Sequence, residues 1–187
     1  MWQARDVAPE AELVTTEHGL VPKGEGWFVL NAREAQWWER PGRGALCEFE
    51  GAGFEGATDF LQLGINLTLL GPGEPMAMYH RENDQEDFLV LAGEALAIVE
   101  GEERPLRQWD FVHCPAGTDH IFVGAGEGPC VIVMAGSRAP STITYPVSEL
   151  AQRHGASTHA ETDVPRDAYA PFDRGEVGPM PNGALPT

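Results

Sequence analysis

Between Ala45 and Met134 the chain breaks into short apolar runs, and glycine or proline separates nearly every neighbouring pair. Runs of this length are too short for helices and suit strands, and no helical segment falls among them. Leu46-Cys47-Glu48-Phe49 is the first. The longest, Asp59 to Leu70, sets Leu61, Leu63, Ile65, Leu67 and Leu69 at alternate positions, a period of two that predicts a strand buried on that face. Asp87 to Ala92, Ala95 to Glu100, Arg104 to Gln108, Asp110 to Cys114, His120 to Val123 and Cys130 to Ala135 follow, with Gly101-Glu102-Glu103 read as a hairpin turn. Many short strands at this spacing predict an antiparallel sandwich or barrel.

The flanks read differently. Residues 1 to about 26 form a polar, proline-containing arm with room for one edge strand. Asn31 and Glu34 have the spacing of a capping box, which predicts a short helix through Gln36, Trp37 and Trp38 that Pro41-Gly42 stops. The paired tryptophans then act as a packing anchor or a subunit contact. Ser148 to His154 reads as a second helix with Ser148 as cap and Gly155 as stop, and Pro165 opens a further turn. The tail from Ala170 to Thr187 has too few apolar residues to fold alone, so it lies on the barrel, lies on a partner or hangs loose. The expected organisation is an arm and helix over 1–44, a barrel over 45–136 and a helical segment with a proline-rich tail over 137–187.

Composition excludes several classes of partner. With 12 Lys and Arg against 29 Asp and Glu, the net charge of −17 opposes nucleic acid and anionic membrane surfaces. The three cysteines are odd in number and make no CxxC pair, so neither a disulfide framework nor a cysteine zinc site is expected. Reduced thiols and the lack of a signal-peptide pattern at the start point to a cytoplasmic protein. No apolar run approaches the roughly 20 residues of a membrane span.

Chemistry concentrates in GEPMAMYHRENDQEDFLVLAG, residues 73–93. It brings His80, Glu82 and Glu86 together, and His120 follows at the start of a later strand. Imidazole and carboxylate are the side chains that hold a divalent transition metal. In extended backbone His80 and Glu82 point to one side. Each histidine alone reads more simply as a satisfied structural residue. By alternation Phe122 shares the side of His120, while Tyr79 faces away from His80. His113 reads as a strand-end residue or a hydrogen-bond partner behind a ligand. Cys114 and Cys130 read as small buried hydrophobes, and His18, His154 and His159 as surface residues.

The stretch 73–93 resembles the first motif of the cupins, G-x5-H-x-H-x3,4-E-x6-G, and WDFVHCPAGTDHIFVG resembles the second, G-x5-P-x-G-x2-H-x3-N. Glu86 and Gly93 match the end of the first; Pro115, Gly117 and His120 match the middle of the second. The chain departs from the pattern at Glu82, which fills the second histidine slot, at Trp109 in a glycine slot and at Gly124 in an asparagine slot. The resemblance implies a jelly-roll barrel, a metal held by His80, Glu86 and His120 with Glu82 as a fourth ligand or as the proton-transfer group, and a homodimer. The metal would be Zn, Mn, Fe or Ni. The implied activity is that of a small metalloenzyme of isomerase, dioxygenase or decarboxylase type acting on a small oxygen-rich molecule. The alternatives are a module that binds or senses a small molecule without turnover, and a barrel that has lost its metal.

Overall fold

The computed structural model describes residues 8–51, 54–57, 59–138 and 142–181. The strands are β1 Glu12–Thr16, β2 Gly19–Lys23, β3 Trp37–Glu39, β4 Ala45–Cys47, β5 Leu63–Leu70, β6 Arg81–Glu82, β7 Glu86–Ala92, β8 Glu94–Val99, β9 Glu102–Arg107, β10 Phe111–Cys114, β11 His120–Ala125, β12 Cys130–Ser137, β13 Ile143–Thr144 and β14 Glu176–Gly178. Two four-residue helices, α1 Glu149–Gln152 and α2 Pro165–Ala168, follow β13. No helix among the described residues is long and apolar enough to cross a membrane.

Every strand ladder is antiparallel, as the alternation of short apolar runs and turns requires. One sheet runs β10-β7-β12-β5-β4-β3-β14 and a second runs β11-β8-β9. The free edge of β11 takes up the segment before β6: the amide of Met76 donates to the Phe122 carbonyl (2.8 Å), and His80 and His120 exchange backbone hydrogen bonds. The two sheets enclose the main core, where Leu70, Phe88, Val90 and Ile132 of the larger meet Ala97, Ile98, Ile121 and Phe122 of the smaller. Ala151 and Ala156 of the C-terminal segment join this core, and β11 is buried along most of its length. The β8–β9 hairpin turns on Glu100-Gly101, one residue earlier than the sequence reading placed it, with φ positive at both residues (49° and 74°). That is the twist a two-residue hairpin needs, and glycine carries it at the second position without strain.

A second core lies outside the larger sheet. Trp37, Ala45, Cys47, Leu69 and Val131 pack there, and Trp37 Nε1 donates to the Ala32 carbonyl at 2.8 Å. This corrects the helix expected through Gln36–Trp38. The Asn31 side chain accepts from the Arg33 amide (2.9 Å) rather than from Glu34, which closes a local turn. The chain then enters β3 and pairs with β4 and β14. Tertiary packing of Trp37 overrides the capping signal. The N-terminal arm holds a β1–β2 hairpin where one edge strand was expected. The tail contributes β14, so its described part lies on the barrel; residues 182–187 lie outside the described residues.

The face of β5 is a second correction. Leu61, Leu63 and Ile65 are 71%, 57% and 44% exposed, while Gly64, Asn66 and Thr68 turn inward. The second core covers only the far end of the apolar row, at Leu67 and Leu69. Helix α1 forms where expected, shorter by two residues at its end, and the Ser148 side chain accepts from the Ala151 amide.

Candidate metal centre

His80 and His120 stand opposite each other in one backbone bridge, with N–H···O=C distances of 3.1 and 2.8 Å. Residues directly opposite across antiparallel backbone put their side chains on the same face. The two rings therefore meet inside the barrel with centroids 4.7 Å apart. Glu86, the first residue of β7 in the facing sheet, completes the group. One ligand atom from each of His80, Glu86 and His120 lies within 4.8 Å of the others, and all three residues are buried.

The tautomers follow from the chain itself. Nδ1 of His80 lies 2.7 Å from the Met78 carbonyl, and Nδ1 of His120 lies 2.9 Å from the Thr118 carbonyl. A carbonyl only accepts, so each Nδ1 carries a proton, and Nε2 is the atom that offers a lone pair whenever the ring is neutral. Both Nε2 atoms face the Glu86 carboxylate, at 3.7 Å from His80 and 3.2 Å from His120. Glu86 Oε2 and His120 Nε2 are nevertheless buried atoms without a hydrogen-bond partner. Buried polar atoms are normally satisfied. Ligand atoms each about 2.1 Å from one ion sit roughly 3 to 3.5 Å apart. Two imidazole nitrogens held by carbonyls behind them and one carboxylate are thus a donor set, spacing and orientation that fit a divalent transition metal.

The electrostatics separate the two imidazoles. Burial, reinforced by the neighbouring His120, lowers His80 to about 4. Burial also opposes charge on His120, but the Glu86 carboxylate outweighs it and holds that ring above its ordinary value. Burial would raise Glu86, yet His120 and His80 keep it below the usual carboxylate range. Without a metal the site is therefore a neutral His80 beside a His120–Glu86 ion pair.

The other sequence-derived candidates fall as follows. Glu82 lies in β6, outside the group of three; its carbonyl accepts from the Gly117 amide at 2.7 Å, and its charge raises both His120 and Tyr145. Phe122 shares the side of His120 but lies in the core beneath it, stacked on Phe88 at 4.2 Å. Tyr79 faces away and is buried, its hydroxyl accepting from the Gly101 amide. His113 is on the outer face, 2.6 Å from Asp87. Cys114 is paired in register with Glu86, but burial raises its thiol to about 12, which keeps it neutral. Arg81 is engaged with Asp119 at 3.0 Å and Glu161 at 3.9 Å.

Sequence reasoning missed Tyr145. It follows β13, its ring is 5.9 Å from His80, and it is almost fully buried. Burial raises its hydroxyl, with Tyr169 and the charges of Glu82 and Glu86 adding to the effect. An aromatic residue 65 positions after His80 gives no local signal of this contact.

The family model for the cupin domain matches residues 66–136. No curated protein matches the chain. Among solved structures the chain is similar to a sugar phosphate isomerase of the cupin superfamily from Silicibacter pomeroyi, at 21% identity and a TM-score of 0.46 over 83% of each chain. It is also similar to a predicted oxalate decarboxylase from Thermotoga maritima, at 16% identity and a TM-score of 0.49 over 58% of this chain and 97% of that one. A third is a DMSP lyase from Ruegeria pomeroyi, at 23% identity and a TM-score of 0.42 over 53% and 50% of the two chains. Residues 66–136, which hold both motifs and all three converging side chains, are a cupin domain.

Proposed function

We propose that the chain is a metal-dependent cupin enzyme acting on a small oxygen-rich molecule. His80, Glu86 and His120 hold one divalent transition metal, Zn, Mn, Fe or Ni. The observation that supports this reading is the convergence of two Nε2 atoms and one carboxylate oxygen, all buried, with Glu86 Oε2 and His120 Nε2 lacking any other partner. A metal in such a site polarises a bound oxygen or lowers the pKa of a bound water. The protein supplies the rest. Phe88, 5.3 Å from the His120 ring, and Phe122 keep water from the floor of the site. The two backbone carbonyls fix the rings. Glu82, close enough for its charge to act on His120, takes and returns a proton at its carboxylate. The reaction is of isomerase, dioxygenase or decarboxylase type. Three buried free thiols fit a cytoplasmic setting.

The homodimer implied by the family belongs to the same proposal. Its surface is the outer face of the larger sheet, where exposed Leu61, Leu63, Ile65 and Phe111 lie with Leu89 and Val133 around the paired Asp87 and His113. On a chain of net charge −17, this is where two copies meet with least repulsion. Ile65→Lys should shift sedimentation from dimer to monomer at micromolar concentration. A wild-type monomer at that concentration rejects the dimer.

Elemental analysis of protein purified without a nickel column should find close to one transition metal per chain. His80→Ala and His120→Ala should each lose it, whereas His154→Ala, whose ring pairs with Glu103 on the surface, should keep it. Retention in both site variants contradicts the proposed ligand set.

Glu82→Gln should retain the metal and lose at least about tenfold in turnover, measured in a screen of aldoses, keto acids and hydroxy acids. Undiminished turnover excludes Glu82 as the proton carrier. Tight binding without turnover of any compound in the wild type favours the sensing module.

Metal binding should also release protons. His80, lowered to about 4, is already neutral at pH 7, so its proton is not in play. His120 is raised and must lose its proton before Nε2 can ligate. Affinity should therefore fall about tenfold per pH unit below the His120 pKa, and more steeply near pH 4 as His80 and Glu86 also protonate. Calorimetry of Mn²⁺ binding in buffers of different ionisation enthalpy measures the proton count, and a value of zero below neutral pH contradicts the His120–Glu86 ion pair.

A further inference from the structure

On the inner face of the larger sheet, Glu86 in β7 is in register with Gly136 in β12, and Gly136 with Gly64 in β5. Glu86 therefore looks across two adjacent positions with no side chain. A Cβ on Gly136 would meet Glu86 Cγ at 3.7 Å and the Gln85 carbonyl oxygen at 3.9 Å, both ordinary contacts, so the first position has room for a methyl group beside the Glu86 stem. The second is covered by an arginine that the cupin motifs do not include. A Cβ on Gly64 would lie 2.6 Å from Nε and 2.9 Å from Cζ of Arg138, so the guanidinium lies flat where a side chain would be. Arg138 follows β12 with the inward alternation of Cys130, Ile132 and Met134, which brings its side chain to this face.

One edge of the guanidinium is occupied, since Nη2 donates to Glu50 Oε1 at 2.7 Å. Glu50 is itself almost fully buried, so this pair holds the fork in place. Nε, on the same edge as Nη2, is buried and has no partner, which leaves the Nη1 side of the fork free of Glu50. Next along the same inner face of β5, Asn66 Oδ1 is likewise buried without a partner. The guanidinium and an unpaired acceptor thus border one side-chain-free floor, whose far side is Glu86. Two strand spacings of about 4.8 Å put the Gly64 and Glu86 strands roughly 10 Å apart. That is the span of a molecule of three or four carbons with one end at Glu86 and the other at the guanidinium.

We infer that Arg138 is the anion anchor of this cavity and that the substrate is a small hydroxylated molecule with one carboxylate or phosphate end. The inference rests on the metal-centre reading for the oxygen end of the substrate and on Arg138 alone for the anionic end. A fork-shaped guanidinium recognises either oxyanion through paired N–H donors. Asn66 Oδ1 accepts from a hydroxyl between the two ends. Arg138 is thus a positioning and specificity residue.

The test is calorimetry on the full chain loaded with Mn²⁺, using glycerate, glycerol 3-phosphate and neutral glycerol as probes. The wild type should bind at least one of the anions tenfold or more tighter than glycerol, and which one it prefers distinguishes carboxylate from phosphate. Arg138→Met should lose tenfold or more for that anion, with Mn²⁺ and glycerol affinities unchanged. Glu50→Gln, which breaks the same ion pair and keeps the guanidinium, should retain anion binding. If Arg138→Met alone unfolds, because Glu50 is left buried and unpaired, the double variant with Glu50→Gln takes its place. The inference is overturned if neither anion exceeds glycerol, if Arg138→Met binds the anion as the wild type does, or if Glu50→Gln loses as much as Arg138→Met. If Mn²⁺ does not bind the wild type, the metal reading has failed separately. The anion titrations on metal-free protein then decide: loss in Arg138→Met but not in Glu50→Gln sustains the anchor, and equal or absent binding overturns it.

Discussion

The site depends on one backbone bridge. His80 and His120 exchange two main-chain hydrogen bonds, and this pairing also attaches the segment before β6 to β11. Closure of the barrel and meeting of the rings are therefore the same event. A slip of one residue in this pairing would turn one ring outward and separate the two imidazoles. Each ring is then oriented by the carbonyl two residues before it, Met78 for one and Thr118 for the other. The same local relation, used twice, leaves both Nε2 atoms facing the cavity. Only Glu86 has to arrive from the other sheet.

This arrangement is costly without a cation. A buried polar atom left without a partner costs about 1–3 kcal/mol, and both Glu86 Oε2 and His120 Nε2 are in that position. The apolar floor of Phe88 and Phe122 raises the cost by excluding water. Relief comes in part from charge: His120 takes a proton against its burial because Glu86 is beside it, and His80, next to that charge, does not. The same geometry that strains the metal-free protein is what a divalent ion would satisfy.

The fold class and the three candidate residues that the structure brings together were legible because their signals are local. Glu86 with Gly93, and Pro115 with Gly117 and His120, sit at fixed spacings within single turns and strand starts. What failed was everything decided by distant packing. The leucine row of β5 reads as a buried face, yet the inner side of that strand belongs to Gly64, Asn66 and Thr68, and the N-terminal segment covers only the far end of the row. The capping signal at Asn31 is real but closes only a turn, since Trp37 is drawn into the core beside Ala45 and Cys47. Tyr145 and Arg138 reach the cavity through pairings of β13 and β12 that no short motif encodes.

The departures from the family motifs have different physical weights. Trp109, in a glycine slot, holds φ at +74° with its ring 67% exposed, a backbone strain of about 1–2 kcal/mol that leaves the site untouched. Gly124, in the asparagine slot, is needed where it stands, since a Cβ there would lie 2.1 Å from the Gly71 carbonyl oxygen. The exchange at Glu82 alters the chemistry. It replaces an imidazole with a carboxylate beside the converging group and makes the cavity more anionic in a chain of net charge −17. Such a cavity favours cations and repels an anionic substrate. A metal held at Glu86 would reverse that sign at one end of the floor, as the guanidinium of Arg138 across the two glycines would at the other. Binding of an acidic substrate would then require both positive groups at once, and a molecule too short to span them would gain from only one.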